Sequence, residues 1–435
     1  MEKLVGYSEK VIEYGFYGLA FLVPLVFTTS TFELFEFPKM ILVYLLTILI
    51  VAAFLVKSVV LGKLQLSRTP LDKPIAAFVL VNILSTIFSI DRYTSILGYY
   101  TRFNGGLLSL FCYVALYYIF IGEMGDKRNR FVRSLLLSSL LVSIYGILQH
   151  FGIDKDYWVQ DVQRRVFSTL GQPNWLAAYL IMVLPVSLAW MIENSKHQMS
   201  KLFYISLPTV LYAAFWFTYS RSGLLGFGAA MVTFLVFLGK ENLKKNWRPL
   251  FLVGLSWLLI SVLAFSLTIS EKIPVARAAT PSAAEQERGS PSSEPRSVTG
   301  STVQIRLAVW KGTLNLIKDR PLLGAGPETF GYSFLPYRPA ELNQTAEWEF
   351  LYNKAHNEYL NIAACTGLLG LAAYLWIIGK FVLWSIRSRS TQNNIFQAGV
   401  FAGWVGILVS NFFGFSVVVT SLLFWLYLAL MVPPA

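Results

Sequence analysis

"NKAHNEYLNIAACTGLLG", residues 353 to 370, decides what kind of chain this is. It begins as a polar loop, with His356 and Asn357 side by side, and then turns into an apolar run that continues past residue 380. A bilayer core requires about 20 predominantly apolar residues in a helix. The stretch therefore reads as a loop entering a membrane, with one of only three histidines at the boundary. Gly367 and Gly370, farther along, read as close helix-packing positions.

Composition carries that reading to the whole chain. Of 435 residues, 55% are hydrophobic and 14% charged, and the mean hydropathy is +0.56. Soluble domains are nearer half apolar and a quarter charged, so this is an integral membrane protein. The net charge of +12 does not call for nucleic acid, because basic cytoplasmic loops produce the same excess. Cys112 and Cys365 lie in apolar runs and imply neither a disulfide framework nor a metal cluster. The opening "MEKLVGYSEKVIEYG" carries both signs of charge and lacks the pattern of a cleaved signal.

Twelve apolar runs stand out, near residues 14–30, 38–61, 74–90, 105–122, 132–151, 173–192, 202–219, 222–239, 249–270, 357–384, 394–412 and 414–432. The expected fold is all-α, with about twelve transmembrane helices. The basic residues orient it. With the N-terminus inside, nineteen of the 36 lysines and arginines fall in inner segments and seven in short outer loops. The remaining ten lie in one long loop, which such counting handles poorly. Both termini are thus expected in the cytoplasm. Residues 1–270 form helices 1–9, 271–356 an extracytoplasmic loop, and 357–435 helices 10–12. Within the loop, 274–303 is rich in Pro, Ser, Ala and Glu and reads as disordered. Residues 302–319 repeat apolar residues at helical spacing (Val303, Leu307, Trp310, Leu314, Ile317), which predicts an amphipathic helix on or near the membrane surface.

In so apolar a chain the informative residues are polar ones at membrane depth or on the outer face. Arg221, in "TYSRSG", sits between apolar stretches with no acidic neighbour; it is either a snorkelling helix-end arginine or a fork for phosphate. In "RRVFSTLGQPNWLAAYL", Arg164 and Arg165 precede a Gly–Pro turn and Asn174 opens a helix, whose free N–H groups suit an anion as well as an ordinary cap. Arg306 lies on the amphipathic helix, and Arg102 at the entry to the fourth helix, in "YYTRFNGG". His356 is either a packing residue or a general base, since an imidazole suits proton transfer near neutrality; Asn357 is its orienting or substrate-binding neighbour. His150 is an accessory candidate and His197 lies in a basic inner loop. Several cations and one base on one face point to a bound polyanion and a proton acceptor. Asp154 and Asp156, in "DKD", form the competing signal, a site for a divalent metal.

These stretches, with "RLAVWKGTLNLIKDRPLLGAGPETF" and "KAHNEYLNIAACTGLLGL", resemble the successive signatures of the O-antigen ligase superfamily, over roughly residues 90 to 430. That superfamily includes O-antigen ligases, Wzy-type polysaccharide polymerases and bacterial protein O-oligosaccharyltransferases. The resemblance implies a GT-C-like, metal-independent, inverting glycosyltransferase of the bacterial inner membrane, with its site facing the periplasm and no cofactor. Its donor would be an undecaprenyl-pyrophosphate-linked glycan and its acceptor the lipid A–core of lipopolysaccharide, a polysaccharide or a protein. Carried over, His356 matches the loop histidine proposed as base and Arg306 the loop arginine near the reaction centre. Arg165 and Arg221 match arginines assigned to the pyrophosphate, and Arg102 fits a basic position in an earlier loop. Gln172 departs from the asparagine usual before the Pro-Asn pair. The main alternatives are a polymerase or a protein oligosaccharyltransferase; a flippase would instead place polar groups at midplane in both halves, often as repeats.

Overall fold

The computed structural model describes residues 1–432 apart from 65, 195–200, 273–301, 346, 348 and 393. The part of the expected disordered stretch from 274 to 301 lies outside them. Among the described residues the chain is helical throughout, with no strand. In order the helices are α1 (Glu2–Leu25), α2 (Glu36–Leu61), α3 (Asp72–Ile87), α4 (Arg92–Leu97), α5 (Leu107–Glu123), α6 (Arg128–His150), α7 (Pro173–Asn194), α8 (Lys201–Trp216), α9 (Arg221–Lys245), α10 (Trp247–Lys272), α11 (Thr302–Asp319), α12 (Phe330–Ser333), α13 (Glu358–Gln392), α14 (Ile395–Ser410) and α15 (Val418–Met431). Each apolar run of the sequence lies on one of these. Six helices, α2, α6, α7, α9, α10 and α13, are long and apolar enough to cross a membrane. Four shorter apolar ones, in α5, α8, α14 and α15, join them.

The bundle is organised around α7. Of its most apolar 18-residue window 94% is buried, against 33% for α2 and 17% for α10, so α7 is the core helix and the other two present apolar flanks outward. α14 packs tightly on both α7 and α9 because small residues let the backbones approach. A Cβ at Gly403 would strike the Met182 carbonyl, one at Gly399 would meet the Pro185 carbonyl at 2.7 Å, and one at Gly226 of α9 would lie 2.7 Å from the Gly406 carbonyl.

Gly367 does a different job from the helix packing its sequence context suggested. It has φ +71° inside α13 and breaks the helix there. A side chain would collide with the Leu322 backbone. The break exposes backbone groups that the "RPLLGAG" turn takes up: Leu368 N–H donates to Pro321 O at 2.7 Å, Ala325 N–H to Ala364 O at 3.0 Å and Gly326 N–H to Cys365 O at 2.8 Å. The long loop is thereby bonded to α13 rather than draped over it.

α11 is a helix where the sequence predicts one, and it carries two apolar stripes. Ile305, Val309, Leu316 and Ile317 are buried against Phe330, Phe334, Ala363 and Ala364, forming a small core between the loop and the start of α13. Of the stripe picked out in the sequence, Ile317 joins this core, and Val303, Leu307 and Leu314 are exposed.

The two ends of the bundle differ in chemistry. At one, Lys57 pairs with Glu9 (2.8 Å) and Glu123 (2.7 Å), while Glu13 pairs with Lys127 (3.4 Å) and Arg130 (3.0 Å). At the other, reached along the 23 residues of α6 or about 35 Å, lie the loops that carry the candidate residues.

Candidate active site

Of the helices that begin at this second end, three start around the cavity, and each is set by its own local sequence. Pro173, with φ fixed by its ring, starts α7. Ser220 caps α9, its hydroxyl accepting the Gly223 N–H at 3.1 Å. Asn357 caps α13: its side-chain oxygen accepts the Leu360 N–H at 3.0 Å, and the residue is 3% exposed. Asn357 is therefore engaged as a cap and is not among the residues lining the cavity.

Between these ends lies a cavity of about 160 Å³, walled by Gln172, Asn174 and Trp175 from the α7 start, Ser222 from α9, Arg306 from α11 and His356 before α13, among others. Helix N-termini offer unpaired N–H groups and a partial positive charge. Three of them meet here, two capped by Ser220 and Asn357, and their partial positive charge adds to that of Arg306, with Glu347 opposing it in the same wall.

Asn174 joins two of the signature stretches. Its side-chain oxygen accepts Arg165 Nη2 at 3.2 Å and Ser220 Oγ at 2.8 Å. Arg165 Nε also donates to Thr218 O at 2.9 Å. These bonds hold Arg165 behind the cavity wall. Burial, then the charges of Arg164 and Arg306, lowers its pKa. Burial likewise lowers that of Arg306, against the opposing pull of Glu347. Arg102 lies over the Trp175 ring, 5.2 Å from its centroid, and its Nε is buried with no hydrogen-bond partner. Guanidinium groups stay charged in proteins, so the site concentrates partly desolvated cations. Arg221 opens α9 and is exposed; it does not line the cavity.

His356 sits in the left-handed region, φ +51°, a conformation uncommon outside glycine. Its ring lies 5.6 Å from Phe415 and 6.3 Å from Tyr352, both edge-on or nearly so. Burial first, then Arg306 and Arg102, pushes its pKa down to about 4. The imidazole is neutral at pH 7 and able to accept a proton.

Two wall residues escaped the sequence reading. Glu347 accepts a 2.7 Å hydrogen bond from Tyr352, and both line the cavity; the only signal was an acid and an aromatic in a loop otherwise hard to place. His150 stacks on Phe217 at 3.9 Å and contacts Gln163 O at 2.9 Å. Asp154 accepts from Tyr145 at 2.7 Å. Among the described residues, no three of His, Cys, Asp and Glu gather where a metal could be held.

A helical bundle with several membrane-spanning lengths and a polar cavity at one end, walled by Arg306, Glu347 and His356 among others, defines a class: a multi-pass membrane protein. Residues 206–375 match the Wzy_C family model, described as O-Antigen ligase, and this match supports the O-antigen ligase/Wzy superfamily of membrane glycosyltransferases. Arg221, Arg306 and His356 fall within the matched segment; Arg102, Arg165 and Asn174 precede it. A protein of Haemophilus influenzae, described as an uncharacterized protein, is 28% identical over 88 residues. That match covers 20% of this chain and 22% of the relative.

Proposed function

We propose that the protein transfers a glycan from an undecaprenyl-pyrophosphate carrier to an acceptor hydroxyl, at the outer face of a bacterial inner membrane that it crosses twelve times, with both termini in the cytoplasm. The observation that carries this reading is the shared cavity of Arg306, His356 and Asn174, with Arg165 and Arg102 held around it. The ligase branch, with lipid A–core as acceptor, is the form adopted here; a growing polysaccharide or a protein hydroxyl would use the same chemistry.

The acceptor oxygen attacks the anomeric carbon as the bond from that carbon to the pyrophosphate oxygen breaks. The electron pair leaves with the pyrophosphate, and the acceptor proton passes to a ring nitrogen of His356. Charge grows on the departing phosphate, where preplaced guanidiniums in a partly dry site stabilise it most. Arg306 faces the cavity and takes the charge near the reaction centre; Arg102 and Arg165 add positive charge from around the wall, and Arg221, exposed at the start of α9, meets the part of the diphosphate that extends out of the cavity. Proton abstraction by a positioned base contributes roughly 10²–10⁴-fold. The electrostatics of the site link the two parts: a bound diphosphate offsets Arg306 and Arg102, the charges that disfavour the imidazolium, so donor binding makes His356 a stronger base.

The test is transfer by purified protein in detergent, given an undecaprenyl-pyrophosphate-linked glycan and a lipid acceptor. Glycoconjugate forms if the protein is a transferase, whereas a flippase yields none. His356→Ala and Arg221→Ala should each lower product formation; full activity in both, at normal protein levels, contradicts their roles.

A further inference from the structure

A second cavity, of about 130 Å³, adjoins the first. It lies inside the bundle between α3, α5, α13 and α15 and the 104–105 and 327–328 turns. Phe415, in the wall of the first, links the two: its ring lies 5.6 Å from that of His356, and Lys354 Nζ, in the wall of the second, lies 5.9 Å from its centroid. Lys354 makes a close ion pair with Glu328, with side chains only 12% and 8% exposed. Glu358, which accepts the Ser416 N–H at 3.1 Å, is a second carboxylate in the wall. The one amine in this chamber is already paired with Glu328, and Glu358 adds a further acid, so unlike its neighbour, which presents Arg306, the chamber offers a diphosphate no unpaired cation.

The rest of the wall carries amides and aromatics. Asn104 accepts from Tyr113 at 3.0 Å, and Asn361 accepts the Ala355 N–H at 3.2 Å. Both use their oxygens this way, leaving their NH₂ groups as donors; Asn361 is 5% exposed overall and lines the cavity. Trp425 and Phe424 supply apolar faces. Fixed carboxylates and amides suit hydroxyls, which both donate and accept, and rings suit the C–H faces between them. A water takes up about 30 Å³ in the liquid, so the chamber, of about 130 Å³, has the volume of about four waters, on the order of one sugar ring.

The geometry points to this chamber as a subsite for one neutral sugar residue of the glycan, held by Asn361, Asn104 and Glu358 beside the reacting centre. This deepens the transferase reading and rests on it for the identity of the glycan, but binding can be measured without turnover. Saturation-transfer NMR on the full-length protein in detergent, with D-glucose, D-galactose and N-acetyl-D-glucosamine as probes, should show transfer to at least one of them. Asn361→Ala should weaken that binding roughly tenfold. Ser421→Phe, which fills the chamber, should abolish it. His356→Ala should leave it in place, and inorganic pyrophosphate should not compete. Thermal melting identifies a variant that has failed to fold, and the other then decides. Absence of transfer for all three sugars, retention in the folded variants, or competition by pyrophosphate would overturn the subsite. Loss of glycan transfer in His356→Ala with sugar binding intact separates the two proposals, and sugar binding in a protein with no transferase activity would sink only the first.

Discussion

His356 draws together most of what is unusual at the scale of single residues. It holds a left-handed backbone, and its pKa is pushed down by burial and by Arg306 and Arg102. Asparagine tolerates that backbone and a β-branched residue does not. His356→Asn should therefore fold as the wild type does yet lose transfer by roughly 10²–10⁴-fold, while His356→Val should also melt earlier; circular dichroism melts with a transfer assay check both. The pH dependence follows from the depressed pKa. In the free enzyme the ring stays neutral until the pH nears 4, so kcat/KM for the donor should hold steady from pH 8 to about 5 and fall below that. With donor saturating, the acid limb should move to higher pH, since the anion offsets the arginines. Stability runs in the same sense. The unfolded chain takes up the imidazole proton near 6.5 and the native chain only near 4, so acid favours unfolding across that window. His356→Gln should lose that part of the decline. The imidazole was legible as a candidate from its placement alone; its suppressed charge depends on its burial and on Arg306 and Arg102, both distant in sequence, which no local pattern encodes. Lys39 makes the same point in reverse. It counted as an outer-loop cation in sequence, but it is fully buried and donates to Val26 O and Thr169 O at 2.6 and 2.7 Å, tying one loop to another.

At the scale of elements, hydropathy located every helix long enough to bury an apolar face. It did not find α4 or α12, which are four to six residues long and too short to carry a period. It found one apolar stripe of α11 but not the second, Ile305, Val309 and Leu316, which packs on the start of α13, because both faces are apolar and only the partner helix distinguishes them. The break in α13 was equally hidden: Gly367 looks like any small residue in an apolar helix until its φ of +71° is seen. Gly367→Ala should cost about 1–3 kcal/mol and detach the 320–326 turn, seen as faster amide exchange at Ala325 and Gly326. The convergence of "QPNW" and "TYSRSG" through Asn174 is a contact between helix starts 46 residues apart, so the sequence supplied the parts and not their meeting. Asn174→Ala should free Arg165 and raise the donor KM more than it lowers kcat.

At the scale of the whole molecule, ion pairs tie both ends of the bundle. At one, Lys57 meets Glu9 and Glu123; at the other, Lys354 meets Glu328 and Lys311 meets Glu341, beside the arginines of the candidate site. The pairing of the acids was not readable in the sequence, because Glu9, Glu13 and Glu123 meet their partners only once α1, α2, α5 and α6 are packed. Both native cysteines are buried, so single introduced cysteines can report sidedness. Arg164→Cys in intact cells should react with a membrane-impermeant maleimide, and Lys10→Cys only after permeabilisation. The reverse pattern would turn the site toward the cytoplasm and remove the periplasmic donor. The chemistry itself is tested most directly by single-turnover transfer from an undecaprenyl-pyrophosphate-linked glycan by His356→Asn, with donor binding measured alongside. The expected result is unchanged donor affinity with the transfer rate down roughly 10²–10⁴-fold; a wild-type rate in the folded variant would contradict His356 as the base.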